Sequence, residues 1–337
     1  LRMEVFIQQL INGITLGSTK NNGLTITDNN DPIVLGKLTI GAGGINISDA
    51  GGDIRFTGTT NTTAGGMVIV TANAGNVTFA GDVTASGKID VTAAEAVTGG
   101  NFTSGAGVGI TGGSLQIGNV TAGGSLFLEA DGVGATITNS GSAISIGGSS
   151  ASLVANAGVG TASAPIEITN DAELTLAGAT NSGGWFADLS SAGPVSIGSV
   201  TPPAFFTTRP VAGVSVATGG NLAVSVFGGS LSLSDNIDLS GGATGSVFLE
   251  LQGAGAQITD VGGAIKLDGG NLALIAQAGV GTPTAPVQIV DSSALTLAGS
   301  THTGGWYATV ASPAAAGASV ILGTVNASGF FGISSVT

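Results

Sequence analysis

Few residues in this chain have the chemistry to do more than build a fold. Asp28, Asn29, Asn30 and Asp31 form its densest run of oxygen ligands. Hard cations such as Ca²⁺ take about six to eight oxygens, which makes Asp28, Asn30 and Asp31 candidate calcium ligands. The run lacks the nonapeptide Gly/Asp repeat of calcium-binding solenoids, and Asn-Asn-Asp-Pro is equally a plain turn. Trp185-Phe186 and Trp306-Tyr307 are two aromatic pairs in a chain with two Trp and one Tyr. Trp185 and Trp306 could stack on sugar rings through their flat apolar faces, or pack where a core widens. Carboxylate pairs such as Asp49 with Asp53, or Asp82 with Asp90, could meet across strands as a general acid and base. Solvated turn carboxylates are the simpler reading of them.

Other chemistries lack their parts. There is one histidine, His302, so no histidine relay or multi-histidine metal site can form, and its Ser-Thr-His-Thr-Gly setting reads as an exposed loop. Cysteine is absent, which removes thiolate zinc sites, iron–sulfur clusters and cysteine nucleophiles. Gly105-Ala106-Gly107-Val108-Gly109 is followed by no Lys-Ser/Thr and no helix, so it is not a phosphate loop. Seven Lys+Arg stand against 20 Asp+Glu, a net charge of −13. That balance argues against nucleic acid as a partner and against an anionic membrane surface. No apolar run is long enough to span a membrane. The scattered cations and scarce aromatics also weigh against a glycan-cleaving groove, so the chain reads as no enzyme.

The elements that position these residues are short and repetitive. Gly contributes 60 of 337 residues and charged residues 8%, while 42% are hydrophobic. Gly therefore belongs at turns between apolar segments. The recurring segment is apolar–polar–apolar, as in Leu24-Thr25-Ile26, Ile45-Asn46-Ile47, Val77-Thr78-Phe79, Leu115-Gln116-Ile117 and Ile166-Glu167-Ile168. Alternation at period two points both apolar side chains to one face. Gly-Gly, Ala-Gly and Ser-Gly turns separate these strands, which recur about every 8–12 residues.

A long repeat is present as well. Gly124-Ser125-Leu126-Phe127-Leu128-Glu129 returns as Gly245-Ser246-Val247-Phe248-Leu249-Glu250, and Gly183-Gly184-Trp185 as Gly304-Gly305-Trp306, each at an offset of 121 residues. Residues 124–200 and 245–325 are thus a duplicated block, which coils of about 20 residues would fit as six turns. Strands this short and poor in aromatics suit a narrow β-helix better than a sandwich. The fold expected is all-β, a parallel β-helix (β-solenoid) over residues 24–337. Residues 1–23 form an atypical N-terminal segment, a short amphipathic cap or a partner-binding strand, with apolar residues at helical spacing from Met3 to Ile14. Six Asn-X-Ser/Thr sequons begin at Asn46, Asn61, Asn76, Asn101, Asn119 and Asn326, a number this composition produces by chance.

Two resemblances follow. Gly75-Asn76-Val77-Thr78-Phe79-Ala80-Gly81-Asp82-Val83 and Ala157-Gly158-Val159-Gly160-Thr161-Ala162-Ser163-Ala164-Pro165-Ile166 resemble the filamentous-haemagglutinin type of bacterial surface protein, over most of residues 24–325. The likeness is one of composition and coil length. It implies a right-handed parallel β-helix, secretion to the cell surface or beyond, and a role as adhesin or stalk. The amino-terminal secretion domain of full-length members is missing, so an internal segment is expected. Met3 to Ser18 also resembles the start of branched-chain amino-acid transporter permeases, and reads as a chance match or fusion remnant.

The expected function is that of a non-enzymatic, extracellular structural or adhesive stalk. Its partners would be a further copy of itself, stacked end to end into a filament, or host and matrix glycans or proteins. No cofactor beyond calcium is expected. A polysaccharide-active or carbohydrate-binding β-helix is the alternative.

Overall fold

The strand pattern read from the sequence recurs in a computed structural model of the chain, which describes residues 14–16 (backbone), 23–29, 31–41, 43–141, 144–241, 244–312, 319–325 and 336. The chain is an all-β parallel solenoid of about 12 turns with coils of about 23 residues, and no helix occurs among the described residues. Two compact units are built this way. The first holds residues 1–148 and 202–209, the second 149–201 and 210–337.

In the first unit each coil has three sides, and each side is a stack of parallel strands. One stack runs through Leu24–Asp28, Ile45–Asp49, Val68–Ala72, Ile89–Ala93, Val108–Gly112 and Leu126–Ala130. The second runs from Ile33–Leu35 through Ile54–Phe56, Val77–Phe79, Ala96–Gly99 and Ser114–Ile117 to Thr136–Asn139. The third runs from Ile14–Leu16 through Leu38–Ile40, Thr60–Thr62, Val83–Ala85, Phe102–Ser104 and Val120–Ala122 to Ile144–Ile146. Three to five residues per side suffice because each strand's hydrogen bonds are made to the coils before and after it, and no side needs length of its own.

Register places like on like. Ile45, Val68, Ile89, Val108 and Leu126 are successive partners, all buried. Burying such columns supplies about 1.5–3 kcal/mol per large aliphatic side chain. The interior also takes aromatics. Phe56 and Phe79 stack with ring centroids 4.6 Å apart, and Phe102 meets Phe79 edge-on at 5.3 Å. Inward Thr62 finds a backbone oxygen, its Oγ1 donating to the Gly66 carbonyl at 2.7 Å.

The second unit repeats the plan with wider coils. Trp185–Ser191, Leu222–Phe227, Gly245–Leu251, Gly270–Ala276, Ala294–Thr301 and Ser319–Leu322 form one stack. The step from Trp185 to Leu222 is 37 residues, against 25 for the next, because 199–212 is inserted in that coil. This geometry revises the meaning of the duplication. Four coil steps lead from Trp185 through Leu222, Val247 and Leu272 to Leu297. The remaining nine residues turn a corner, and Trp306 lies against Val280 in a different stack. The offset of 121 is therefore four coils and one side, not six coils, and the two copies of a motif face in different directions around the coil.

The N-terminal segment expected as a cap lies outside the described residues, apart from the strand Ile14–Leu16 and Gly23.

Candidate functional site

The residues singled out for chemistry are placed as follows. Asp28 ends a strand, and its Oδ1 accepts the Asn29 N–H at 2.6 Å, as in a turn. Asp31 is exposed, and Asn30 lies outside the described residues. Among the described residues no three or more His, Cys, Asp or Glu converge as they would around a metal. Trp185 is fully buried, with Nε1 donating to the Leu153 carbonyl at 3.1 Å, so neither ring face is open to a ligand. Trp306 is half-buried and Tyr307 exposed beside it. His302 is exposed in a turn.

The carboxylate pairs take other partners. Asp53 Oδ1 accepts Asn76 Nδ2 at 3.1 Å, which also donates to Glu95 Oε2 at 2.8 Å; Asp82 accepts Asn101 Nδ2 at 2.8 Å. These are asparagine–carboxylate ladders on successive turns, and they occupy the amides of two sequons. Asp49 is buried, its Oδ1 accepting Gly51 and Gly52 N–H at 3.0 Å each.

Two places the sequence did not single out carry more structure. The first is the outer face of the first unit's leading stack, where Asp90, Thr92, Gly109, Thr111, Phe127 and Glu129 point away from the core in register. The segment 202–209 lies across it as a strap. Phe206 packs on Phe127 with centroids 4.9 Å apart and sits over Gly109, where a Cβ would come within 2.3 Å of its ring. The Thr207 hydroxyl meets those of Thr111 and Thr92 at 2.9 and 3.1 Å. Arg209 closes the strap, its backbone N–H on Glu129 Oε2 at 2.9 Å and its Nε on Oε1 at 3.1 Å. The Lys88 ammonium stands 4.9 Å from the Phe205 ring centre, a cation–π distance.

Beneath the strap Asp90 is buried, and its Oδ1 has no hydrogen-bond partner. Burial raises its carboxyl to about 7, opposed by the backbone hydrogen bond from Thr207. Removing the Arg209 side chain should loosen the strap at a cost of about 1–2 kcal/mol, because Glu129 keeps one donor and loses its ion pair. Amide hydrogen exchange at Thr207 in Arg209→Ala would report it as lost protection.

The second place is a groove of about 720 Å³ on the second unit, lined among others by Pro165, Glu167, Asp188, Ser225, Phe227 and Gln252. Register makes Glu167, Asp188, Ser225 and Glu250 successive neighbours on four strands. Strand spacing of about 4.8 Å keeps adjacent members in contact range and sets Asp188 and Glu250 roughly 10 Å apart at their backbones. Glu250 is buried and its Oε2 has no hydrogen-bond partner. Burial raises its carboxyl first and the Asp188 charge adds to that, against a hydrogen bond from Gln252. Phe227 is 59% exposed at the rim. A carboxyl raised by burial, a second carboxyl two strands away and an exposed ring could bind a cationic or glycan ligand.

The signals for both places were faint. The strap's Pro202-Pro203-Ala204-Phe205-Phe206 breaks the strand pattern and concentrates aromatics, which marks it as an insertion. Glu129 and Glu250 end the two copies of a duplicated motif. Nothing local marks Glu167 or Asp188. Comparison of the chain with family models, with curated proteins and with solved structures finds no match. Among the described residues no helix is long and apolar enough to cross a membrane.

Proposed function

We propose that the chain is a non-enzymatic structural or adhesive segment of an extracellular, bacterial surface protein, a stalk built of β-solenoid coils. The observation supporting this reading is the unbroken ladder of parallel strands in each unit, whose outward positions are mostly small and polar: Thr25, Asn46, Thr78, Thr84, Thr103 and Ser145 are examples. Such a surface presents a regular lattice and resists indiscriminate association, as a displayed scaffold must. The compositional likeness to filamentous-haemagglutinin-type proteins agrees with it.

The acidic groove supports a second reading, carbohydrate binding or cleavage. A carboxyl raised by burial with a second carboxylate two strands away is the kind of pair that glycoside hydrolysis uses. One experiment separates the two: incubation of the protein with neutral and acidic polysaccharides, with and without Ca²⁺, assayed for new reducing ends. The stalk reading expects none. Turnover that disappears in Glu250→Gln would overturn it. Negative-stain images of the same preparation should show separate particles for a simple stalk and long fibres for its self-stacking form.

A further inference from the structure

The two faces just described are the same lattice used twice, once covered and once open. On the first unit Thr92, Thr111 and Glu129 are register partners on consecutive coils, and the row beside them is Asp90, Gly109 and Phe127. On the second unit Asp188, Ser225 and Glu250 are register partners in the same order, and the row beside them is Phe186, Ala223 and Phe248. Glu129 and Glu250 also end the two copies of the duplicated motif.

The first lattice shows what such a surface binds. A strap that turns at Pro203–Phe206, with the Phe206 N–H on the Pro203 carbonyl at 2.9 Å, lays Phe206 on the aromatic row, sets Thr207 against the hydroxyls, and delivers Arg209 to the glutamate. On the second lattice Phe186 packs in the cluster of Phe248 and Ala223, so the aromatic row is filled from within the unit. Asp188 and Ser225 of the acidic row line the groove instead, and the Glu250 Oε2 left without a hydrogen bond beside them is the counterpart of a carboxylate whose two oxygens take the backbone N–H and the Nε of Arg209 on the first lattice. Asp188, where the first lattice has Thr92, adds a second negative charge. A buried carboxylate oxygen with no donor costs free energy that a guanidinium fork would recover, since its N–H groups satisfy both oxygens at once.

The geometry points to the Asp188–Ser225–Glu250 row and its groove as a docking site for an arginine-bearing polypeptide segment with a hydroxyl side chain close before the arginine, bound as the strap is bound on the first unit. The partner is recognised by its cation and by the hydroxyl before it. Phe227 and Pro165 at the rim supply apolar contact. This inference stands apart from the stalk reading, because it depends on one lattice and not on what the protein does as a whole.

A fluorescein-labelled peptide with the sequence of residues 201–211, titrated against the full chain and followed by anisotropy, tests it. Saturable binding is expected, weakened at least about tenfold in Glu250→Gln and in Asp188→Asn, and equally by an Ala for Arg in the peptide. Glutamine is close in shape to a protonated glutamate, so the variant should fold, and circular dichroism checks that. Glu129→Gln should leave the affinity unchanged. Absence of saturable binding up to about 1 mM, a level matching only ~4 kcal/mol of binding, would refute the proposal. So would binding untouched by the groove variants, or lost only in Glu129→Gln, which would place the peptide on the first unit in exchange for the strap. Peptide displaced by oligosaccharides but not by arginine-containing competitors would assign the groove to glycans and overturn it too.

Discussion

Trp185→Ala is expected to be among the most damaging single changes in the second unit, at a cost of about 3–5 kcal/mol. The side chain is the largest of those fully buried, and its indole N–H ends on the Leu153 carbonyl. Truncation removes both the packing and the hydrogen bond, and it opens a cavity between strands that cannot close without breaking ladder bonds on each side. Gly178 makes the site unforgiving in the other direction. A Cβ there would come within 2.3 Å of Trp185 Nε1 and 2.7 Å of the Leu153 oxygen, so Gly178→Ala should also destabilise strongly. Urea unfolding read by tryptophan fluorescence and by hydrogen exchange across 150–155 and 174–180 measures both. The duplicate supplies the control. Trp306 is half-buried and its Nε1 has no hydrogen-bond partner, so Trp306→Ala should cost clearly less. Equal costs at the two positions would contradict this account.

Asp90→Asn is expected to act in the opposite sense and to stabilise the first unit at pH 8. The carboxyl is raised from 3.8 to about 7 by burial under the strap. The folded state therefore holds the proton more tightly than the unfolded chain does. Unfolding releases that proton between about pH 4 and 7, so the contribution of Asp90 is most favourable below about 4, fades as pH rises, and is lost above 7. A shift of about three units corresponds to about 4 kcal/mol across this window, a ceiling for the effect. Lys88, just before the strand, and the Arg209–Glu129 pair are nearby charges, and burial is the largest cause of the shift. Asparagine fills the same space, keeps an oxygen for the Thr207 N–H, and carries no charge to desolvate. Thermal midpoints of both proteins from pH 5 to 8 should diverge as pH rises, the variant being the more stable at pH 8. Parallel curves would mean that Asp90 is not held neutral under the strap.

Much of the fold was legible in the residues. Apolar–polar–apolar triplets such as Ile45-Asn46-Ile47 and Val77-Thr78-Phe79 are strands whose outer residues are buried, because period-two alternation leaves an isolated triplet only one face to bury. A coil of about 20 residues fits the first unit, where the leading stack steps by 18 to 23 residues, and falls short of the 25-residue step in the second, since the apolar triplets carry no information about how many turn residues lie between them. The coil step varies, from 18 residues between Val108 and Leu126 to 37 between Trp185 and Leu222. The duplication was legible as a constant offset, but not its phase around the coil.

The candidate site was hardly legible. Trp185 was distinguishable as aromatic and repeated, and those properties fit a buried side chain as well as a binding one. Asp188 and Glu250 lie 62 residues apart and share one row only because one long and one ordinary coil bring their strands into line through Ser225. Composition and alternation thus determined by themselves that this chain is a parallel β-solenoid with a Val/Ile/Leu core, since those are properties each strand carries locally. Tertiary structure alone decided which outward residues share a row, which of two equivalent rows a strap covers, and which glutamate is left waiting for a donor. Those outcomes depend on the summed lengths of the turns, and no single strand encodes that sum.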